Sequence, residues 1–121
     1  MEFISKNEIK IFSNPGVDSY QLLNPDNSNS ERITITKVIV QPKSTQPRHT
    51  HETSEQIWIA LKGCGKLLLK NNDEKVFKEG DIVRFEDKDI HGLLNDSSEV
   101  FEYMSITSPP INFKNAYKIK Q

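Results

Sequence analysis

All three histidines of this chain fall into one spaced pattern. His49 and His51 flank a single residue, and the third histidine, His91, is followed four residues later by Asn95. Neutral imidazole is the commonest side-chain ligand for transition metals in proteins. Because residues two apart in an extended strand point the same way, His49 and His51 are expected to present two imidazoles on one face, with their Cα atoms about 7 Å apart. The pattern predicts a metal site.

Further ligands are available on either side of a turn-rich middle segment. Glu55 and Gln56 follow the histidine pair closely, and His91 comes from a distant part of the chain. Nitrogen and oxygen donors of this kind suit Mn, Fe, Ni, Cu, Zn or Co. The residue types therefore predict one divalent transition-metal ion and do not select the element.

Length and composition restrict the class of protein. A chain of 121 residues and 13.9 kDa is long enough for one domain. A net charge of −1 gives no basic stripe for a phosphate backbone, so nucleic acid is not an expected partner. The longest apolar run, Ile57 to Leu61, is too short to cross a membrane, and the first six residues lack the apolar core of a signal peptide. Together with the single Cys64, this favours a cytoplasmic location.

Short runs of β-branched and aromatic residues recur between turn-forming clusters, and helical periodicity is hard to find. This pattern predicts an all-β chain. The strands at 56–61 and 66–70 are expected to form a hairpin, and 24–30 and 42–47 are expected to be loops. The other predicted strands are 33–40, 76–77, 82–85 and 100–107.

The spaced residues resemble the two sequence motifs of the cupins, which are small double-stranded β-helix barrels of the jelly-roll type. The first motif sets a His-x-His pair and a glutamate between two glycines, and the second sets a proline, a glycine, a histidine and an asparagine after another glycine. The resemblance covers about residues 33–107 and implies one cupin domain over 1–121, with an N-terminal arm and a C-terminal tail. The positions that fit are His49, His51, Gly63, Gly80, His91 and Asn95.

Two departures from the cupin motifs bear on the site. Counting back from Gly63 puts Gln56 at the glutamate position, and glutamine is a ligand in some cupins, among them proteins that linearise unsaturated uronates. The opposite strand register would bury Ile57, Ile59 and Leu61 and make Glu55 the ligand. Glycine spacing favours Gln56 and apolar content favours Glu55; we predict Gln56. In the second motif Glu86 and Lys88 replace the proline and glycine, so the turn before His91 is expected to differ in shape.

The resemblance implies a metal held by His49, His51, Gln56 and His91. A neutral amide leaves such a site one charge more positive than a carboxylate does, which favours an anionic substrate. The sequence therefore predicts a metal-dependent enzyme that acts by Lewis-acid chemistry on an oxygen-bearing, sugar-acid-like metabolite. The reaction type stays open among dioxygenase, isomerase and lyase chemistry. The alternative is a non-catalytic module that binds a metal and a small ligand.

Other residues have weaker expected roles. Tyr103 is the candidate catalytic acid or hydrogen-bond donor, because a buried phenol needs a partner. Arg48 is expected to point away from the metal, and Asn95 to bond backbone groups near His91. The tail, which alternates apolar and polar residues around Phe113 and Tyr117, is expected to cover either the barrel or a partner subunit; the segment up to Leu23 and the tail around Phe113 are the expected homodimer contacts. The residues expected at a barrel mouth are Trp58, Phe85, Tyr103, Met104 and Ile106.

Overall fold

The computed structural model describes residues 1–116 and 118–119, with only the backbone for residues 115, 118 and 119, so that Tyr117 lies outside the described residues. These residues form two antiparallel sheets. The larger sheet contains β1 (Lys10–Asn14), β2 (Val17–Leu23), β3 (Thr34–Val40), β5 (Glu55–Lys62), β8 (Ile82–Phe85), β10 (Phe101–Ser108) and β11 (Lys118–Ile119). The smaller sheet contains β4 (Ser44–His49), β6 (Cys64–Leu68), β7 (Glu74–Lys78) and β9 (His91–Asn95).

The strand order shows how the chain alternates between the sheets. It is β11-β1-β2-β3-β10-β5-β8 in the larger sheet and β4-β9-β6-β7 in the smaller one. Three short 3-10 turns, at Lys6–Glu8, Lys70–Asn72 and Phe113–Asn115, are the helical segments of the described chain. No helix in this part of the chain is long and apolar enough to span a membrane. The all-β prediction is confirmed.

The two sheets pack face to face because each strand alternates inward and outward side chains. Along β3 and β10 every second residue is buried. The core joins apolar side chains of both sheets. Its most deeply buried members include Trp58 and Phe101 from the larger sheet and Leu67, Phe77 and Leu93 from the smaller one.

The predicted hairpin between β5 and β6 is wrong. β5 pairs with β8 and β10, whereas β6 pairs with β7 and β9 in the other sheet. The chain crosses between the sheets at Gly63, which has a φ of +87° and where a Cβ would lie 2.6 Å from the carbonyl oxygen of Val100. A glycine that looks like a hairpin turn in the sequence is therefore a crossover that only glycine accommodates.

The N-terminal arm forms part of the larger sheet, and one predicted loop contains a strand. β1 and β2 extend the larger sheet, with β2 paired along β3. The segment 42–47 was expected to be a loop, but β4 begins at Ser44 and contains Pro47. Proline is tolerated there because β4 is an edge strand of the smaller sheet.

Lys88 takes the place of the glycine in the turn before His91. It adopts a φ of +71°, in the left-handed region that favours glycine. Its backbone N–H donates to the carbonyl oxygen of His51 at 2.7 Å, and the side chain of Asp89 accepts from the backbone N–H of Glu86 at 2.8 Å. The turn thus keeps a glycine-like geometry with a lysine, and it ties the segment before His91 to the backbone of His51.

Gly92 sets the approach of β9 to β4. A Cβ at this position would lie 2.7 Å from the carbonyl oxygen of Gln46 and 2.9 Å from the backbone nitrogen of Arg48. We expect G92A to lower the free energy of unfolding by about 2–3 kcal/mol, because backbone atoms cannot move aside as side chains do. Urea denaturation of the metal-free protein measures this loss.

The matched control for this change is G65A. Gly65 is also a buried strand glycine, but its added Cβ would meet first the end of the Leu93 side chain, at 3.0 Å. We expect G65A to cost less than about 1 kcal/mol, since that side chain can rotate. Equal losses in G65A and G92A would contradict the assignment of Gly92 as a close backbone contact.

Candidate metal centre and its cavity

The structure brings the three predicted histidines together. His49 is the last residue of β4 and His91 the first of β9, and they lie directly opposite each other in the sheet, with ring centroids 4.3 Å apart. The His51 ring lies 5.1 Å from that of His49 and 5.2 Å from that of His91. One nitrogen from each ring lies within 4.8 Å of the others. His51 lies beyond the end of β4, so the pair is not on one continuous strand as the sequence predicts.

Backbone carbonyls orient two of the rings. Nδ1 of His49 lies 2.8 Å from the carbonyl oxygen of Pro47, and Nδ1 of His91 lies 2.9 Å from that of Asp89. Because a carbonyl oxygen only accepts, each Nδ1 carries the proton and each Nε2 keeps its lone pair. Nε2 of His51 and Nε2 of His91 are buried and have no hydrogen-bond partner among the described residues. This is the arrangement that metal-binding histidines use, so the residues fit a divalent transition metal.

Burial keeps the imidazoles neutral. Burial, and after it the neighbouring His49, together lower the pKa of His51 and of His91 from 6.5 to about 4. Burial also lowers the pKa of His49. Since a protonated imidazole cannot coordinate, the three residues are in the ligand-competent form at neutral pH.

Aromatic side chains from the larger sheet and from the tail hold the rings in place. The ring of Phe85 stacks on that of His91 at 4.5 Å, and Trp58 meets His91 edge-on at 5.5 Å. Phe113, in the C-terminal segment, meets His51 at 5.9 Å. The predicted dimer contact at Phe113 thus packs on a histidine of its own chain, while homodimerisation itself stays a prediction.

Glu55 and Gln56 face opposite sides of β5. Gln56 is 3% exposed and lines the same cavity as His49 and His51. Its Nε2 donates to Oγ1 of Thr107 at 2.9 Å, and its Oε1 accepts from Nε1 of Trp58 at 3.0 Å. Glu55 lies on the outer face and accepts from Nε of Arg84 at 2.7 Å. The inward orientation of Gln56 is the one that the predicted strand register requires. The second lone pair on its Oε1 can coordinate a metal ion.

The cavity beside the histidines has a volume of about 370 Å³. That size suits a small metabolite. Of the described residues around it, Arg48 alone carries a full charge at neutral pH. Its guanidinium is directed away, because Nε donates to the carbonyl oxygen of Leu69 at 2.8 Å and Nη2 bonds that of Asp73 at 3.4 Å. The cavity is therefore almost uncharged, with polar side chains set among apolar ones.

Tyr103 lies in the wall of this cavity. It is 1% exposed, its ring stacks on Trp58 with centroids 4.2 Å apart, and its hydroxyl donates to Oε1 of Gln46. The cavity also contains Ser19, Thr36 and Ser105, which sequence reasoning missed. The signal that could have found them is alternation, since Ser105 lies two residues from Tyr103 on the same face of β10.

Two of the residues expected at the barrel mouth lie on the outer face of β10 instead. Met104 and Ile106 alternate with Tyr103 and lie on the outer side of β10, opposite Ile59 and Ile57 of β5. Asn95 bonds backbone groups as expected, but at the end of β9 opposite to His91. Its Nδ2 donates to the carbonyl oxygens of two residues in neighbouring segments, Val40 at 3.0 Å and Glu99 at 2.8 Å.

The lowered histidine pKa values predict an acid dependence of stability for the metal-free protein. The unfolded chain takes up protons near pH 6.5 and the folded chain only near pH 4. The free energy of unfolding should therefore be constant above about pH 6.5 and decrease as the pH falls from 6.5 towards 4. Urea denaturation at stepped pH measures the slope.

The control for this dependence is H51Q, which removes one of the titrating groups. Its stability should decrease less steeply over the same interval, although its carboxylates titrate as before. Parallel slopes in H51Q and the unaltered chain would contradict the assignment of a neutral, buried imidazole to His51.

Comparisons with known proteins agree with the fold. The chain is 27% identical to the uncharacterized protein MJ1618 of Methanocaldococcus jannaschii over 95 residues. The aligned part covers 78% of this chain and 75% of that protein. The structure is similar to that of KdgF from Halomonas sp., with a TM-score of 0.76 and 16% identity over 93% of this chain and 96% of that chain. It is also similar to ectoine synthase from P. lautus, with a TM-score of 0.79 and 12% identity; the alignment covers 96% of this chain and 83% of that chain.

The family model described as "Cupin domain" matches residues 36–107. This match includes all three histidines, together with Gln56 and Tyr103. The face-to-face sheets are those of a double-stranded β-helix. The chain therefore belongs to the cupin family.

Proposed function

We propose that this protein is a metal-dependent enzyme for a small oxygen-bearing, anionic metabolite. The observation that carries the proposal is the convergence of three neutral imidazoles, with the Nε2 atoms of His51 and His91 buried and unpartnered within the described chain. A buried lone pair without a donor is costly, and a metal ion removes that cost. His49, His51, His91 and Gln56 would hold one divalent transition metal, which supplies Lewis acidity to an oxygen of the substrate.

Gln56 is the fourth ligand in this proposal. It lines the cavity that His49 and His51 line, whereas Glu55 is paired with Arg84 on the outer face of the sheet. Because Thr107 and Trp58 hold its amide by both ends, Gln56 is already oriented by hydrogen bonds. Orientation of a ligand by its neighbours raises the affinity of a metal site.

The charge of the site favours an anion. Three neutral imidazoles and a neutral amide leave the full charge of a divalent ion uncompensated, and no carboxylate lines the cavity among the described residues. An unbalanced positive charge attracts an anionic group. A carboxylate or enolate oxygen of the substrate would complete the charge balance.

The chain's own residues would position the substrate and exclude water. Phe113 packs on His51 and lines the cavity, so it would cover one side of a substrate placed there. The Tyr103 hydroxyl donates its one hydrogen to Oε1 of Gln46, so in this position it would accept a hydrogen bond from a substrate hydroxyl, and after turning from Gln46 it would donate a proton to a substrate oxygen. Proton donation of this kind suits isomerisation or lyase chemistry, and the reaction type is to be decided by experiment.

The ligand set is tested by elemental analysis of protein purified without an affinity tag. We expect about one transition-metal ion per chain, and little metal in H49A or H51A, because each loses a ligand. Q56A should reduce metal affinity by at least about tenfold. E55Q is the matched control and should retain full metal content, since its side chain is on the outer face. Full metal content in the H49A/H51A double variant would contradict the site.

The activity is tested by following hydroxy and oxo acids by proton NMR with the metal-loaded protein. We expect metal-dependent conversion of at least one such acid, and its loss after chelation. Y103F should keep its metal and lose about 10²- to 10⁴-fold in kcat if Tyr103 transfers a proton. Unchanged kcat in Y103F would remove Tyr103 from the reaction. Binding without conversion of any acid would instead identify a non-catalytic binding module.

A further inference from the structure

Three buried hydroxyl groups form a polar floor in the cavity, on the sheet opposite the histidines. The floor consists of Ser19 on β2, Thr36 on β3 and Ser105 on β10, and all three line the cavity. They are 2%, 3% and 4% exposed. Inward positions in a small barrel are normally filled by apolar side chains. Three neighbouring hydroxyls in such positions require an explanation.

The register of the larger sheet brings these groups together. Thr36 lies directly opposite Ser105 across β3 and β10, and directly opposite Gln21 across β2 and β3. Ser19 is two residues from Gln21 on the same face of β2. Side chains at such cross-strand and diagonal positions are neighbours. The floor is therefore one continuous patch on three adjacent strands.

The floor has unused hydrogen-bonding capacity. Oγ of Ser105 is buried and has no hydrogen-bond partner within the described chain. Oγ of Ser19 accepts from Nε2 of Gln21 at 2.9 Å, which leaves its own proton available to another acceptor. Leaving a buried hydroxyl unpaired costs free energy, so a group that enters the cavity and bonds it is favoured.

The floor also lacks any charge to balance an ion. Arg48, the one charged residue among the described cavity-lining residues, directs its guanidinium to Leu69 and Asp73 outside it. A carboxylate or ammonium group at the floor would be buried without a counter-ion, which is strongly unfavourable. A hydroxyl group can both donate to and accept from serine and threonine at no such cost.

We propose that Ser19, Thr36 and Ser105 recognise the uncharged, hydroxyl-bearing end of a ligand whose anionic end lies at the histidines. This inference rests on the proposed function, since it concerns the other end of the same ligand. Facing sheets lie about 10 Å apart, a gap that a six-carbon chain can span. The ligand class is a polyhydroxy monocarboxylate, and a second carboxylate is selected against.

Three six-carbon acids distinguish these features by isothermal titration calorimetry. Gluconate has one carboxylate and several hydroxyls, hexanoate has the carboxylate without hydroxyls, and glucarate has hydroxyls with a second carboxylate. We expect the metal-loaded protein to bind gluconate at least about tenfold more tightly than either of the others. Equal affinities, or no binding of gluconate, would overturn the proposal.

Substitutions in the floor test whether it is the source of the preference for gluconate. S105A and T36V should each weaken gluconate binding by about three- to tenfold and leave hexanoate binding unchanged. S98A, which removes an exposed hydroxyl from a loop, is the matched control and should change neither. An unchanged preference for gluconate in both S105A and T36V would overturn the proposal.

Thermal unfolding separates recognition from a structural role. Because Oγ of Ser105 has no partner among the described residues, S105A should have a Tm equal to or above that of the unaltered chain when no ligand is present. A lowered Tm together with equal loss of gluconate and hexanoate binding would show that the hydroxyl is structural and overturn the proposal.

Metal analysis distinguishes a failure of the floor proposal from a failure of the proposed function. If the unaltered chain holds no metal, the proposed function fails, but the gluconate preference of the metal-free protein still decides the role of the floor. If metal is held and the preference is absent, the floor proposal fails and the metal site stands.

Discussion

The close pairing of β4 with β9 is the constraint on which the site depends. It places His49 directly opposite His91, and the ring contact of 4.3 Å follows from that register. The pairing is possible because Gly92 has no Cβ to strike the backbone of β4. A turn with a left-handed Lys88 joins the segment before His91 to the backbone of His51. Backbone geometry, more than side-chain packing, thus assembles the three imidazoles.

The same barrel that supplies this geometry also determines the electrostatics. Burial lowers the histidine pKa values, and the carbonyl oxygens of Pro47 and Asp89 hold the proton on Nδ1 of His49 and His91, so that Nε2 of each keeps its lone pair. The opposite wall contributes hydroxyls and amides but no charge among the residues described around the cavity. A metal ion held by the histidines, as proposed, would make one end of the cavity positive while the other end has neutral donors, and a ligand with two unlike ends would be oriented by this difference.

Local patterns predicted most of the strands, and the spacing of the histidines predicted that they would come together. Alternation and β-branched residues predicted β3, β8 and β10 to within about one residue at each end. The hairpin at Gly63 was predicted wrongly, because a turn glycine and a crossover glycine have the same sequence signature and differ only in the sheet that the next strand joins. Met104 and Ile106 were misplaced because an apolar residue can lie on either face of a strand that is covered on both sides.

Sequence by itself determined which chemical groups this protein has for its site: three imidazoles in a His-x-His and distant-His pattern, and an adjacent Glu55–Gln56 pair. Tertiary structure decided which of that pair faces inward, because a strand reverses every side chain when its register shifts by one residue. It also decided that Ser19, Thr36 and Ser105 share one cavity with His49 and His51. These residues lie far apart in the chain, and only the pairing of β2, β3 and β10 brings them together.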